Sequence, residues 1–279
     1  MKTLLVPLQN ISMMTSTLDV VVGLAQRTGA YVEGFPLRFG IPQYVAAELA
    51  TGVLLDSYQT KSEADLNDMR DFFEAFMLKH SIPRSTAGSS RPCFGWLATA
   101  PEGEDFIGSY GRAFDLIAMP RSDPDAAGPH RRAIESALFE SGRPVLLTPS
   151  HAPRSIATNI MIHWNGSTEQ ARANAFAMPL LRLAERVSVL TVVGGQGVPG
   201  PSADQIVRQL QYNDIAAHVM RVELGNRETG EAVLDAARAH GCDLLIKGAF
   251  TRTRLRQMIF GGATSYIMDH ADLPVLMAH

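Results

Sequence analysis

The chain has little cysteine, no marked excess of one charge and no long apolar run. Its 279 residues include only Cys93 and Cys242, too few for a secreted disulfide framework or a four-cysteine zinc site. Its 25 Lys and Arg against 28 Asp and Glu give a formal net charge of −3. This balance argues against nucleic acid as the main partner, because binding to phosphates needs a basic face.

The apolar segments near the N-terminus are too short for export or membrane insertion. Leu4–Val6 ends at Pro7, and Val20–Ala25 is also short, whereas a membrane-spanning helix needs about 20 apolar residues. We therefore expect a cytoplasmic protein with no membrane partner. Hydrophobic residues make up 46% of the sequence and charged residues 19%, so the chain can bury full cores, and its length favours two domains.

An internal repeat organises the sequence. Three segments recur: Phe114–Met119 as Cys242–Lys247, Arg143–Leu147 as Leu273–Met277, and Thr3–Val6 as Asn159–Ile162. The offset is 156 at the start and 128 later, so the first half carries 28 extra residues. Buried apolar runs alternate with helical stretches in both halves, which predicts an α/β fold with parallel strands and helices on both faces.

The repeat defines two domains and an insertion. The Pro-containing linker Thr148–Ser155 separates domains at 1–150 and 155–279, and the insertion falls near 38–91. It contains a predicted amphipathic helix from Leu54 to about His80. The apolar residues at helical spacing are Leu55, Tyr58, Leu66, Met69, Phe72 and Phe76. This stripe favours a helix that covers the sheet, with a lid or a partner surface as the alternative.

In the second half we predict five strands and four helices. The strands are at 158–163, 187–193, 216–222, 242–247 and 274–278, and the helices at 167–185, 202–213, 227–240 and 262–271. Pro179 should kink the first of these helices. Ligands of open parallel sheets bind beyond the carboxyl ends of the strands, where the strand order reverses.

A glycine-containing loop follows the fourth of these strands. Gly248 leaves the strand, and Gly261 and Gly262 open the next helix. Glycines allow close approach to an anion, and free amides at a helix start favour binding it. Arg252 and Arg254 would add positive charge. The alternative is that the glycines form a strand-to-helix corner and the arginines a solvated surface.

This loop and the repeat resemble the universal stress protein family, as two tandem copies. The resemblance implies two Rossmann-like, adenine nucleotide alpha hydrolase-like domains with open five-stranded parallel sheets. Nucleotide-binding members have Gly, two residues, Gly, nine residues, then Gly and Ser or Thr. Gly248 and Gly261 match, whereas Thr251 replaces the second glycine and Gly262 replaces the hydroxyl residue. Thr264 lies two positions beyond Gly262 and brings a hydroxyl.

The resemblance also extends to two strand ends in the second half. Asn165 holds the place of an Asp near the ribose, and Val192 lies in the strand end beside the adenine. The first half departs further, because Gln9 replaces the Asp. Its loop 120–129 has one glycine, three prolines and two aspartates. Prolines lack amide donors and aspartates repel phosphate, so we interpret that site as lost.

Other motifs do not support a catalytic or metal centre. Gly195–Gly200 fits a dinucleotide fingerprint, but Pro199 and Pro201 interrupt the position where a helix should start. The eight histidines show no metal-ligand spacing, and His163 is predicted to be a packing residue at a strand end. There is no Gly-x-Ser-x-Gly elbow and no signature of a cysteine nucleophile, and no catalytic residue is predicted.

The resemblance implies a stress-response binding and regulatory module that takes ATP or another adenine nucleotide in its second half, with Mg²⁺ at most. Gly248, Gly261 and Gly262 would cradle the phosphates with Arg252, Asn165 would meet the ribose and Val192 the adenine; Thr251 and Thr264 complete the set. The last strands, at 144–147 and 274–277, would pair within the chain, and a homodimer is possible. The alternatives are a nucleotide-free interaction scaffold and a slow ATP hydrolase.

Overall fold

A computed structural model describes residues 1–9, 11–38, 53–86, 88, 90–121, 131–250 and 262–279, with side chains of 53–63 excepted. The first half comprises β1 (Thr3–Leu8), α1 (Ile11–Thr28), β2 (Tyr31–Pro36), α2 (Val53–Lys79), β3 (Cys93–Trp96), α3 (Asp105–Gly111), β4 (Leu116–Pro120), α4 (Arg131–Glu140) and β5 (Val145–Thr148). The second half comprises β6 (Asn159–His163), α5 (Thr168–Leu181), β7 (Arg186–Val193), α6 (Ala203–Gln211), β8 (Ala217–Glu223), α7 (Thr229–Ala239), β9 (Leu244–Gly248), α8 (Gly262–His270) and β10 (Val275–Ala278). All nine elements predicted for the second half are present. Pro179 lies in the last turn of α5.

The strands of the described residues form one sheet in the order β3-β2-β1-β4-β5-β10-β9-β6-β7-β8. Neighbouring strands are parallel except β5 and β10, which pair antiparallel with Val275 opposite Leu147. Each half therefore contributes five parallel strands, as predicted, and the halves are related by an approximate two-fold operation. The two predicted sheets are continuous with each other, because the last strands pair edge to edge within the chain.

Helices cover both faces of this sheet, as the alternating pattern requires. One face packs against α1, α2, α5 and α6, whose buried residues include Leu18, Phe73, Ala173 and Leu210. The other packs against α3, α4, α7 and α8, through Ile107, Ile134, Val233 and Ile267. The strands are consequently buried on both sides, which explains their continuous apolar sequence. None of the helices in the described part of the chain has the length and apolar character that a membrane span requires.

The repeated aspartates anchor the first strand of each half. Asp115 accepts hydrogen bonds from the backbone N–H groups of Lys2 and Thr3. Asp243 accepts from those of Thr158 and Asn159, which are the equivalent positions. In both halves the aspartate precedes β4 or β9 and fixes the start of the neighbouring central strand, β1 or β6. The repeat seen in the sequence is therefore explained in part by hydrogen bonding between strands.

The insertion places α2 over β2 and β3. Phe73 and Met77 are fully buried, and the Phe73 ring meets the Phe94 ring edge-on at 5.7 Å. The predicted stripe was displaced by about one residue: Leu66, Met69, Phe72 and Phe76 are only partly buried. Leu55 and Tyr58 lie outside the described side chains. The C-terminal part of α2 thus covers the sheet, as the simpler interpretation predicted.

Candidate functional site

A cleft of about 230 Å³ lies at the carboxyl ends of β6 and β9. These strands are neighbours in the sheet although β7 and β8 lie between them in the chain, so the cleft is at the reversal of strand order. Its lining residues are His163, Asn165, Ser167, Glu169, Gln196, Gly197, Val198, Lys247, Gly248, Ala249, Phe250, Ala263 and Thr264. Two adjacent cavities of about 190 and 370 Å³ share some of these residues.

Gly248 lines the cleft, but its amide is not free for a phosphate. The Gly248 N–H donates to Gln170 Oε1 over 2.7 Å. A Cβ added at Gly248 would lie 2.4 Å from the backbone nitrogen of Gln170 and 2.7 Å from the carbonyl carbon of Glu169. The glycine is therefore required because α5 approaches the end of β9, and the predicted amide cradle at this position is corrected to a packing contact.

Asn165 shapes the turn that leads from β6 into α5. Its Oδ1 accepts from the Ser167 N–H at 3.1 Å, and Ser167 caps α5 by accepting from the Gln170 N–H. The Asn165 carbonyl accepts from the Val198 N–H at 2.9 Å, which ties the glycine-rich loop after β7 to this turn. The Gly195–Gly200 segment, which the sequence analysis did not interpret as a dinucleotide site, thus forms one wall of the cleft.

Val192 lies at the adjoining cavity of about 190 Å³, together with Thr191 and Trp164. The Thr191 hydroxyl is buried and has no hydrogen-bond partner among the described residues. The Trp164 Nε1–H donates to the Pro201 carbonyl over 2.7 Å. This cavity shares Asn165 with the lining of the main cleft, so the predicted ribose and adenine positions, Asn165 and Val192, border the same cavity.

The start of α8 supplies another wall. Thr264 lines the cleft, and Gly262 lines the 370 Å³ cavity beside it. The positive end of the α8 dipole therefore lies at the cleft. No atom lies within 4 Å of a Cβ added at Gly262, so packing among the described residues does not demand glycine there. Thr251, Arg252 and Gly261, also predicted as site residues, lie outside the described residues.

Lys247 is the most consequential residue that the sequence analysis overlooked. It is the last residue before Gly248, and its side chain lines the cleft although the residue is only 3% exposed. Its Nζ donates to the Gly248 carbonyl and to Thr264 Oγ1, both at 2.8 Å. Burial lowers its pKa to about 8, so most of the population is charged at pH 7.

Lys247 forms no ion pair within the described residues, whose ion pairs all involve other groups. Glu169 is the one carboxylate in the cleft lining of the described residues, and its Oε1 accepts from the Thr168 hydroxyl at 3.0 Å. The undescribed segment 251–261 has three arginines and no acidic residue. The cleft therefore contains a buried ammonium that is not ion-paired within the described residues, and one buried acidic residue, Glu169, in the same lining.

His163 lies at the end of β6, as predicted, and it borders the cleft. It is 3% exposed, it lines both the cleft and the 190 Å³ cavity, and its Nδ1 has no partner among the described residues. Burial, and then the nearby Lys247 charge, lower its pKa to about 3. The imidazole is consequently neutral at pH 7, with one nitrogen buried and unpaired.

The first half shows which of these features belong to the fold itself. Leu4 pairs with Leu116 as Ile160 pairs with Leu244, and this register equates His163 with Pro7 and Lys247 with Met119. The same fold forms with apolar side chains at both positions. Comparison of the two halves could therefore have drawn attention to His163 and Lys247 from the sequence alone.

We expect the buried ammonium to make the stability difference between wild type and Lys247→Met depend on pH. The folded-state pKa of about 8 lies below the ordinary 10.5, so the unfolded chain binds more protons between these values. Wild-type stability then rises with pH relative to the variant, by roughly 3 kcal/mol in total. Urea unfolding of both proteins from pH 7 to 10.5 measures this difference, and a constant difference would show that Lys247 is not buried as a cation.

The comparisons with known proteins agree with this architecture. The sequence profile of the universal stress protein family matches residues 131–279, more than half of the chain. The chain belongs to the universal stress protein family. No protein with a curated description matches it significantly.

Solved structures show the same fold over nearly the whole chain. A universal stress protein from Archaeoglobus fulgidus DSM 4304 is similar with a TM-score of 0.69 and 15% identity, over 99% of this chain and 97% of that one. A protein from Pseudomonas aeruginosa UCBPP-PA14, provisionally assigned to the same family, gives a TM-score of 0.54 at 15% identity, over 99% and 92%. At these identities the likeness establishes the tandem Rossmann-like fold and leaves the ligand to be argued from the cleft.

Proposed function

We propose that the second half binds an adenine nucleotide in the cleft between β6 and β9, as a cytoplasmic regulatory module of the stress response. The observation that carries the proposal is the Lys247 ammonium, which is buried at the reversal of strand order and forms no ion pair within the described residues. A cleft of this polarity favours an anionic ligand, and the α8 N-terminus adds to the positive potential.

The shape of the site fits a nucleotide better than a compact anion alone. The main cleft shares Asn165 with the lining of the cavity beside Val192 and Trp164. A base and ribose would occupy that side, and the phosphates would extend toward Lys247 and the start of α8. Within the described residues no group of three or more His, Cys, Asp or Glu could hold a metal ion, so Mg²⁺ would enter with the phosphates.

Binding of a fluorescent ATP analogue to the full chain, with ATP and adenosine as competitors, tests the proposal. We expect micromolar affinity, one site per chain and no sustained phosphate release. Absence of binding at millimolar ATP would overturn the proposal in favour of the interaction scaffold. Continuous phosphate release would instead identify a slow ATP hydrolase.

Gly262 provides a matched pair of variants for this titration. No atom of the described residues lies within 4 Å of a Cβ added there, and an acidic residue in the first turn of a helix is favourable for the fold. Gly262→Asp should bind ATP at least about tenfold more weakly than Gly262→Asn, because only the former places a negative charge beside the phosphates. Equal affinities of the two variants would place the phosphates elsewhere.

A further inference from the structure

We propose that Lys247 and His163 form an inner anion-binding site, which holds a phosphate group of the ligand at the ends of β9 and β6 in place of the Gly248 amide. The inference rests on the proposed function in that it uses the same cleft. It differs in assigning the anion to two side chains that the first half lacks.

The hydrogen-bonding capacity of Lys247 matches this role. An ammonium has three N–H donors, and the Gly248 carbonyl and Thr264 Oγ1 accept two of them. These two acceptors hold Nζ in place and leave a third donor for the ligand. Since both acceptors are uncharged, they orient the ammonium without neutralising it, and the electrostatic attraction remains available for a phosphate.

His163 adds a neutral hydrogen-bond donor from β6, the parallel neighbour of β9. Its Nδ1 is buried without a partner among the described residues, and a buried polar atom in that state destabilises the fold unless a ligand or water satisfies it. The residue borders the cleft, and in the tautomer protonated at Nδ1 the ring would turn to donate to an anionic oxygen of the ligand. The Lys247 charge disfavours the imidazolium form. His163 would therefore contribute a directional hydrogen bond as a neutral donor, and Lys247 would contribute the positive charge.

The Gly248 backbone N–H is not available to donate a hydrogen bond to the anion. Its N–H already donates a hydrogen bond to Gln170 Oε1. The Gln170 side chain is in turn held by a 2.9 Å hydrogen bond from its Nε2 to Asn174 Oδ1. Releasing the amide would break a buried network that is fully paired at Gly248. An anion in this cleft therefore meets side-chain donors at Lys247 and His163 before any backbone donor on β9.

The negative charge of Glu169 opposes anion binding at this site, so its removal is a control with an expected effect opposite to that of removing Lys247. The residue is 2% exposed and its carboxylate lines the same cleft. Three ionisable groups of the described residues thus face the cleft: His163 from β6, Glu169 from α5 and Lys247 from β9. Removing the Glu169 charge should strengthen anion binding, whereas removing the Lys247 charge should weaken it.

Calorimetric titration with pyrophosphate, ATP and adenosine tests the assignment. Lys247→Met should weaken ATP and pyrophosphate binding by about 10- to 100-fold, as expected for loss of a charged hydrogen bond, and leave adenosine unchanged. His163→Leu should weaken both anions by about 5- to 10-fold. Glu169→Gln should tighten them about threefold or more. Lys79→Met, on an exposed position of α2, is the control for a general loss of charge.

The outcomes separate this inference from the proposed function. Lys247→Met should fold, since Met119 occupies the equivalent position in the first half; thermal melting verifies this. If ATP binds wild type and Lys247→Met equally, the inner anion site is wrong and nucleotide binding stands. If pyrophosphate binds through Lys247 but ATP does not bind, the anion site stands and the nucleotide proposal fails. If neither anion binds wild type, both are wrong.

Discussion

Replacing Asp243 by Ala should lower the free energy of unfolding by about 3–5 kcal/mol, because a buried acceptor of several hydrogen bonds is lost. The Asp243 carboxylate accepts from the backbone N–H groups of Thr158 and Asn159 and from the Ser155 hydroxyl. The residue is 5% exposed, so little water can replace the lost oxygens. The start of β6 would keep two buried donors without partners.

Asp115→Ala is the matched control in the first half. It removes the same two backbone contacts, but the Asp115 side chain is 41% exposed, so water can satisfy the released donors. We expect a loss of about 1 kcal/mol there. Urea denaturation followed by circular dichroism measures both. Equal losses for the two variants, or a loss below about 1 kcal/mol for Asp243→Ala, would contradict the anchoring role.

Gly248→Val should also destabilise the protein strongly, by about 3–5 kcal/mol, which exceeds the usual cost of overpacking because the clash is with backbone. The nearest atoms to an added Cβ are the Gln170 nitrogen at 2.4 Å and the Glu169 carbonyl carbon at 2.7 Å. Neither can move without displacing the first turn of α5. The loss of the Gly248-to-Gln170 hydrogen bond would add to the effect.

Gly262→Ala is the control for the packing effect, because no atom of the described residues lies within 4 Å of a Cβ added at Gly262. We expect its unfolding free energy to stay within about 0.5 kcal/mol of wild type. Thermal melting of both variants is sufficient. If Gly248→Val melts within about 2 °C of wild type, corresponding to less than 1 kcal/mol for a domain of this size, the close approach of α5 to β9 is not as described.

The architecture could be predicted from the sequence because its strands are buried on both faces. Such strands read as continuous apolar runs, and Asp115 and Asp243 mark the repeat since each anchors a neighbouring strand. The boundaries of α5 were less predictable: the helix ends at Leu181, four residues before the predicted end. On α2, Phe73 and Met77 are the buried residues. Only the contact with Phe94 and its strand determines that these two, and not Phe72 and Phe76, face the sheet.

The site was harder to predict because its character depends on contacts between distant segments. Gly248 was assigned to phosphate binding from its place in a loop motif, whereas its partner, Gln170, is 78 positions away in the chain. Lys247 resembles an ordinary residue of an apolar strand until the sheet places it beside His163. Asn165 and Val192 do lie at the cleft and its adjoining cavity, because the carboxyl ends of parallel strands meet at one edge of the sheet.

The central claim is that the second half contains a ligand cleft whose anion-binding side lies at Lys247 and His163. A crystal structure of the full chain grown with a non-hydrolysable ATP analogue is the most direct measurement. The account predicts one analogue per chain, between β6 and β9, with a phosphate oxygen within hydrogen-bonding distance of Lys247 Nζ. An empty cleft at saturating analogue, or an analogue bound between β1 and β4 instead, would contradict it.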